Sequence, residues 1–439
     1  MSIYKYEEAF GAWDRTGRTM RRAIEEWFSL YYRDVQSAKE DSCQRIAYSV
    51  VNKITRSVFG EYNAWSEEPF VARFLRELDD CRKEAMQLAL VGGECYIKPC
   101  PQGNGFVFSL IPRSSVLIFG RDSRGMPTDM GMVERSVRDK YYYTLLERRR
   151  VDEHGYLTIE NKLYRSLTQD VLGSKVNLSV HPQYAALAEE YRYEIPIGSV
   201  GLVRMKTPMI NCVDGSQDGV SAFAAAVGLI RNIDRNEAQM NGEFRRGQSR
   251  IIASADLLRR NEQGQRELED HLFVGLDEDP EQVGITIFSP QLREASFLAR
   301  KQEYLRNVES IVGLKRGMLS NADMEERTAT EITASSGDYT LTVLDFQQIW
   351  EDALKKTGAL CCLLAKVYRM EGAPEESGIH VDWGNGVLYD QDKTWADYMQ
   401  MVKEGMLKPE VALGWRFNMA FDSPRQRQAI REKYMPQEG

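Results

Sequence analysis

The 439 residues contain no GxxxxGK[ST] phosphate loop. Gly103-Asn104-Gly105, a turn that begins like a dinucleotide fingerprint, continues into Phe-Val-Phe without its third glycine. Nucleotide sites of both kinds are therefore excluded. Histidine is scarce, and His154, His181, His271 and His380 never pair at helical spacing, so a zinc site is not expected. The seven cysteines are odd in number and form no CxxC pair, which points to reduced thiols in a cytoplasmic compartment. Asn177-Leu178-Ser179 is then an idle glycosylation match. No stretch approaches 18 apolar residues, and residues 1–10 lack a basic start followed by an apolar run, so neither a membrane span nor a secretion signal is expected.

Clustered catalytic groups are missing as well. In Gly215-Ser216-Gln217-Asp218-Gly219 the serine stands one place too early for a nucleophile elbow, and the segment reads as a loop. Asp277-Glu278-Asp279 lacks the spaced ligands and glycine of a calcium loop. Cys361-Cys362 lies among leucines as small buried hydrophobes, and Asp79-Asp80 sits on a charged helix face. No constellation argues for an enzyme, and neither cofactor nor metal is expected.

What is present is globular: 43% hydrophobic and 28% charged residues, with a net charge of −8. The length predicts about three domains. The acidic balance excludes holding nucleic acid by bulk charge, so any such contact has to be local.

The first 90 residues carry helical spacing, for example Ile24, Trp27, Phe28 and Tyr31, then Phe74, Leu78, Ala85 and Leu88. After Gly92-Gly93 the period changes. Residues 94–205 read as a mostly antiparallel sheet region, with a hairpin at Asn104-Gly105. Residues 220–246 form one helix with Val220, Phe223, Val227, Ile230 and Ile233 on a face. A module of about 44 residues follows, with strands near 250–253 and 285–288 and a short helix near 267–272. Ser289-Pro290 starts a second helix, and 313–327 is a loop. Thr328 then opens a capping box for a long helix to about Met370, able to reach about 65 Å, with candidate kinks at Gly337 and Gly358. A short strand-like stretch, 380–389, precedes helices starting near Asp390 and Ser423-Pro424. The fold class is α+β.

This order, with certain stretches, resembles the portal proteins of tailed double-stranded DNA bacteriophages, of the siphophage and Firmicutes prophage kind. The similar stretches are Tyr141-Tyr142-Tyr143-Thr144-Leu145-Leu146-Glu147, Lys206-Thr207-Pro208 through Asn211, Gly219-Val220-Ser221 leading to Ile233-Asp234 and Glu243, and Gly313-Leu314 through Thr328-Ala329-Thr330-Glu331-Ile332. The resemblance covers about residues 90–370. It implies a multidomain fold: a wing (1–219), a first stem helix (220–246), a small α/β clip (247–290), a second stem helix (291–312), a tunnel loop (313–327), a long helix with the return strand of the wing (328–390), and a helical crown (391–439).

It further implies a ring, typically dodecameric, at one capsid vertex of the virion, assembled in the host cytoplasm. Double-stranded DNA would pass through without sequence specificity during packaging and ejection. The other implied partners are the terminase packaging motor, the head-tail adaptor and the major capsid and scaffolding proteins, with no membrane. Lys315, Arg316, Gly317, Ser320, Asn321 and Arg327 would form the DNA-facing loop, and Arg293, Arg300, Lys301 and Arg306 would line the channel. Asp277, Glu278, Asp279 and Glu281 of the clip would meet motor and adaptor.

The charges agree with that reading. Residues 293–317 hold six cations and three acids, whereas 247–290 hold four arginines and nine acids. Sparse cations in an acidic ring suit sliding, because every phosphate contact adds affinity without sequence information. The loop composition allows mobility, so shortening it from Gly317 to Asp323 is expected to leave stability nearly intact. Two other classes compete. A nuclease or packaging ATPase would need a phosphate loop or clustered carboxylates; a coiled-coil scaffold or adaptor built on 328–370 would form a parallel dimer instead of a ring.

Overall fold

The computed structural model describes residues 6–32, 42–247, 250–254, 273–276, 286–288, 291–321, 329–384, 391–417, 419, 421 and 424–435. Helices and largely antiparallel sheets occur together, so the class is α+β. Contacts divide the chain into two compact units, one of residues 1–28, 51–222 and 336–439, the other of 29–50 and 223–335.

The first unit opens with α1 (Glu7–Phe10) and α2 (Arg18–Tyr31), whose Met20, Ile24 and Trp27 are buried at the expected helical spacing. After α3 (Ile46–Val58) comes a strand that the helical reading of this region misses, β1 (Asn63–Ser66). Its partner is β14 (Ile379–Asp382), and pairing strands more than 300 residues apart leaves no local trace. Helix α4 (Pro69–Gly92) starts on a proline at its first turn and ends at Gly93.

Gly93 explains the change of period. Its φ is +78°, and a Cβ there would lie 2.3 Å from the backbone of Gly219, which is equally close in return. Two glycines let two backbone segments touch, and no side chain fits at either. From this turn β2 (Glu94–Gln102) and β3 (Gly105–Pro112) form a hairpin. The turn is Gly103-Asn104, one residue earlier than the sequence signal, because Gly103 takes the positive φ of +58°.

β10 (Val203–Lys206) completes a three-stranded sheet in the order β10-β2-β3. A second sheet runs β4 (Val116–Arg121), β5 (Pro127–Arg138), β6 (Tyr141–Val151), β7 (Leu157–Ser166) and β8 (Ser174–Val176), with β9 (Glu190–Arg192) also on β7. The antiparallel region expected at 94–205 is therefore present. Its core is built from alternating positions, such as Leu145, Leu163 and Tyr184 in one cluster and Val116, Met130 and Leu202 in another.

Helix α7 (Ala329–Val367) is continuous through both candidate kinks. Gly358 instead makes room for β14, since a Cβ there would meet Ile379 at 2.6 Å. Val343, Phe346, Trp350, Ala353 and Leu360 of α7 recur at heptad spacing, and all five are buried in the first unit. Trp350 meets Phe59 edge to face at 5.5 Å, and Gln347 donates to the Val58 carbonyl at the end of α3. Next come α8 (Gln391–Lys403), α9 (Pro409–Arg416) and α10 (Pro424–Tyr434); Tyr398 meets Trp415 between α8 and α9, and a Glu410–Arg431 ion pair with a Phe417–Tyr434 stack at 4.3 Å joins α10 to α9 and the residue that ends it.

In the second unit the expected helix 220–246 begins later, as α5 (Val227–Arg246). Residues 219–222 are held across the α4–β2 junction by Gly219 N–H to Glu94, Ser221 Oγ to Leu90 O and Ala222 N–H to Leu90 O. Val220 is buried by that anchoring and not on a helix face. β11 (Arg250–Ser254), β12 (Phe273–Leu276) and β13 (Thr286–Phe288) form a sheet in the order β12-β11-β13, with β11 parallel to β12 and antiparallel to β13. β12 was not foreseen, and the helix expected near 267–272 lies outside the described residues. α6 (Glu294–Val312) starts four residues after Pro290, because Glu243 of α5 takes the Arg293 backbone N–H and holds that residue just outside the helix.

Candidate nucleic-acid interface

α5 and α6 run antiparallel, since Glu243 near the end of α5 meets Arg293 at the start of α6, while the earlier Asn236 and Glu237 meet the later Phe297 and Lys301. Their apolar seam is formed by Ile230 and Ile233 against Leu305, Val308 and Val312, which are buried. The four expected channel cations lie on α6 or immediately before it, yet they are not equivalent.

Arg293 grips both oxygens of Glu243 at 2.7 and 3.2 Å, and that guanidinium holds the Glu243 carboxyl below its usual range. Lys301 is partly buried and donates to Glu237 at 3.0 Å and to Gln44 Oε1 at 2.7 Å. Arg306 lies 3.7 Å from Glu303 one turn away. Arg293 and Lys301 thus link α6 to α5, whereas the Arg306 pair lies within α6 itself. Arg300 is exposed and among the described residues has no carboxylate partner; it lies over the Tyr304 ring at 4.8 Å.

Past α6, Gly313 takes a left-handed φ of +70° as the helix stop. Lys315 and Arg316 are exposed, Gly317 has φ +92°, and Asn321 donates its backbone N–H to Gln302 Oε1 at 2.7 Å. Ser320, expected in a free loop, is buried. The cause is Glu309. This carboxylate is 1% exposed and accepts the backbone N–H groups of Gly317, Leu319 and Ser320 together with the Ser320 hydroxyl. The expectation that residues 317–323 can be removed at little cost is therefore wrong for 317–320: their loss would strand a buried carboxylate. Glu309 looks like any helix glutamate in the sequence, and only its place between Val308 and Val312 on the apolar face hinted at burial. Arg327, Asp277, Glu278, Asp279 and Glu281 lie outside the described residues.

Sequence reasoning also missed the densest charge cluster, in the first unit. Arg113 is fully buried and bonds Thr16 Oγ1 at 2.7 Å, Val116 O at 2.9 Å and Asp218 at 3.1 Å, with Glu94 at 3.6 Å. Arg204 pairs with Glu94, Arg121 with Asp218 and Arg21 with Asp14. Burial alone would raise the Glu94 pKa, but Arg204 and Arg113 outweigh it and pull it down to about 2. Its members are spread from Asp14 to Asp218, so no spacing reveals them. Each carboxylate is locked by guanidinium groups, which leaves no acid-base pair aimed at a cleft.

The histidines are stacked or solvated: His181 lies against Tyr143 and Tyr184, His380 lies on Trp65, and His154 is exposed. His271 lies outside the described residues. Among the described residues no group of three or more potential ligands is placed to hold a metal, and no helix is long and apolar enough to cross a membrane.

The arrangement offers a few exposed cations on a helix pair and an anchored turn, in a chain of net negative charge. That chemistry suits weak, sequence-independent contact with phosphates. Compared with known proteins, the chain matches no family model and no curated relative.

Proposed function

We propose that this chain is the subunit of a portal-type ring, a conduit for double-stranded DNA at a capsid vertex, and not an enzyme. The observation that carries the reading is the succession of two antiparallel helices flanking a three-stranded sheet, then a turn bearing Lys315 and Arg316, then a 39-residue helix. It follows the order in which the sequence resembles portal proteins.

In this reading α5 and α6 act as stem helices, and the sheet between them belongs to the clip, which offers motor and adaptor an acidic surface. The turn at 315–321 faces DNA. Glu309 fixes the root of that turn, so the cations on it meet the duplex from a set position. Closure into a ring needs two different complementary faces on each subunit. Few exposed cations keep the salt-dependent grip on the duplex weak enough for axial movement.

The test is the double substitution Lys315→Glu and Arg316→Glu. Both side chains are exposed, so rings seen by negative-stain microscopy should persist, while DNA packaging or retention falls, more steeply at low salt. Variants that assemble and package as the parent does would remove this turn from the DNA path. Parent protein that stays monomeric or dimeric at all concentrations would sink the ring.

A further inference from the structure

Strand β10 is an edge of its sheet, and a groove of about 430 Å³ runs along it. One wall is the consecutive stretch 202–206; the other is a helical face of α7 that includes Ile349, Ala353, Lys356 and Leu360. The backbone of β10 has a definite polarity. Thr207 donates its N–H to Gly93 O at 3.0 Å, and Met205 pairs with Cys95, so the odd-numbered residues face β2.

Alternate residues of an antiparallel ladder direct their backbone groups to opposite edges. Arg204 and Lys206 therefore turn their N–H and C=O groups away from β2, to the edge with no strand on it. Among the described residues nothing bonds these outward groups. An unfilled ladder of this kind is matched by one kind of partner, an extended backbone.

The charge around the groove narrows the partner further. On the β10 wall Arg204 is paired with Glu94, whereas Lys206 has no ion pair among the described residues. Across the groove α7 presents the exposed Lys356 and Asp352, whose carboxylate accepts a hydrogen bond from Gln348. Lys206 and Lys356 therefore outnumber Asp352, the one acid among the described residues that line the groove. The Lys206 ammonium reaches the Gln217 carbonyl at 2.8 Å and meets no carboxylate among the described residues.

We propose that this groove binds an extended acidic segment of a partner protein, which adds a strand to β10 through Arg204 and Lys206. Alternate side chains of the segment place carboxylates near Lys206 and Lys356, and its apolar positions lie on Ile349 and Leu360. The inference is independent of the DNA-conduit reading.

The probe is a fluorescein-labelled, acetylated hexapeptide of alternating valine and glutamate, titrated into the full chain and followed by anisotropy. Saturable binding is expected, with hydrogen exchange slowed at the Arg204 and Lys206 amides and unchanged at Val203 and Met205. The exposed substitution Lys356→Glu should weaken binding about fivefold. A lysine-for-glutamate peptide should bind that variant better than the parent, a charge swap that misfolding cannot produce. Methylating alternate backbone nitrogens of the peptide should abolish binding.

Three results would overturn the proposal. One is no saturation up to about 1 mM. Another is binding indifferent to backbone methylation, which would make the contact purely electrostatic. The last is protection of the Arg204 and Lys206 amides that rises with the concentration of the chain alone, which would make a second copy the occupant.

Discussion

Glu309 and Ser320 are joined twice: one carboxylate oxygen accepts the Ser320 backbone N–H and the other its hydroxyl, each at 2.8 Å. Gly317 and Leu319 donate to the same carboxylate, so one buried side chain replaces the ladder that the turn lacks. Glu309→Ala should destabilise the protein by about 2–4 kcal/mol, since several buried donors lose their acceptor together. Amide exchange should quicken at 317, 319 and 320 and change little at Asn321, which is held by Gln302. Denaturant midpoints and site-resolved exchange check both.

Two glycines with positive φ should respond very differently to alanine. Gly103 sits in open space at a hairpin tip, so Gly103→Ala should cost about 1 kcal/mol, from the left-handed backbone alone. At Gly93 the new Cβ would overlap the Gly219 backbone, and Gly93→Ala should cost more than about 4 kcal/mol or prevent folding. Soluble yield and thermal midpoints of the two variants separate the cases.

Acid should unfold the first unit through Glu94. Its folded pKa, about 2, lies below its unfolded value near 4.5. A depressed carboxylate contributes stability that is fully present above the unfolded pKa and is lost as pH falls toward the folded one. Stability should therefore decline between about pH 4.5 and 2, and Glu147, held down to about 2 by Arg149 and Lys98 against its own burial, steepens the fall. Glu94→Gln should be less stable than the parent near pH 7, with a shallower acid limb. Urea midpoints across that range test the sign.

Of the helix-pair cations, Lys301 should matter more for stability than Arg293. Lys301 is partly buried and serves two acceptors, so Lys301→Met should cost about 1–2 kcal/mol by leaving Glu237 without its cation. Arg293 is largely exposed, and Arg293→Ala should shift the midpoint less than Lys301→Met does. Equal effects would mean that exposure does not rank these pairs.

The sequence by itself determined the features that repeat locally. Helical spacing located α2, α4 and the buried stripe of α7, and the switch to alternation after Gly93 located the antiparallel region, because burial of one face imposes a period on neighbouring residues. It also supplied β11, β13 and the break after Gly313. The tertiary structure alone decided which charges are solvated and which are spent. Glu309 and Lys301 read as ordinary helix charges until the turn and Glu237 come against them, and Arg113 reads as a loop residue until Thr16, Glu94 and Asp218 converge on it. The pairing of β1 with β14, the late start of α5 and the face-to-face glycines belong to the same group. The physical reason is common to all of them. A period records that a face is buried, whereas the partner of a polar group is chosen by segments brought together only when the chain folds.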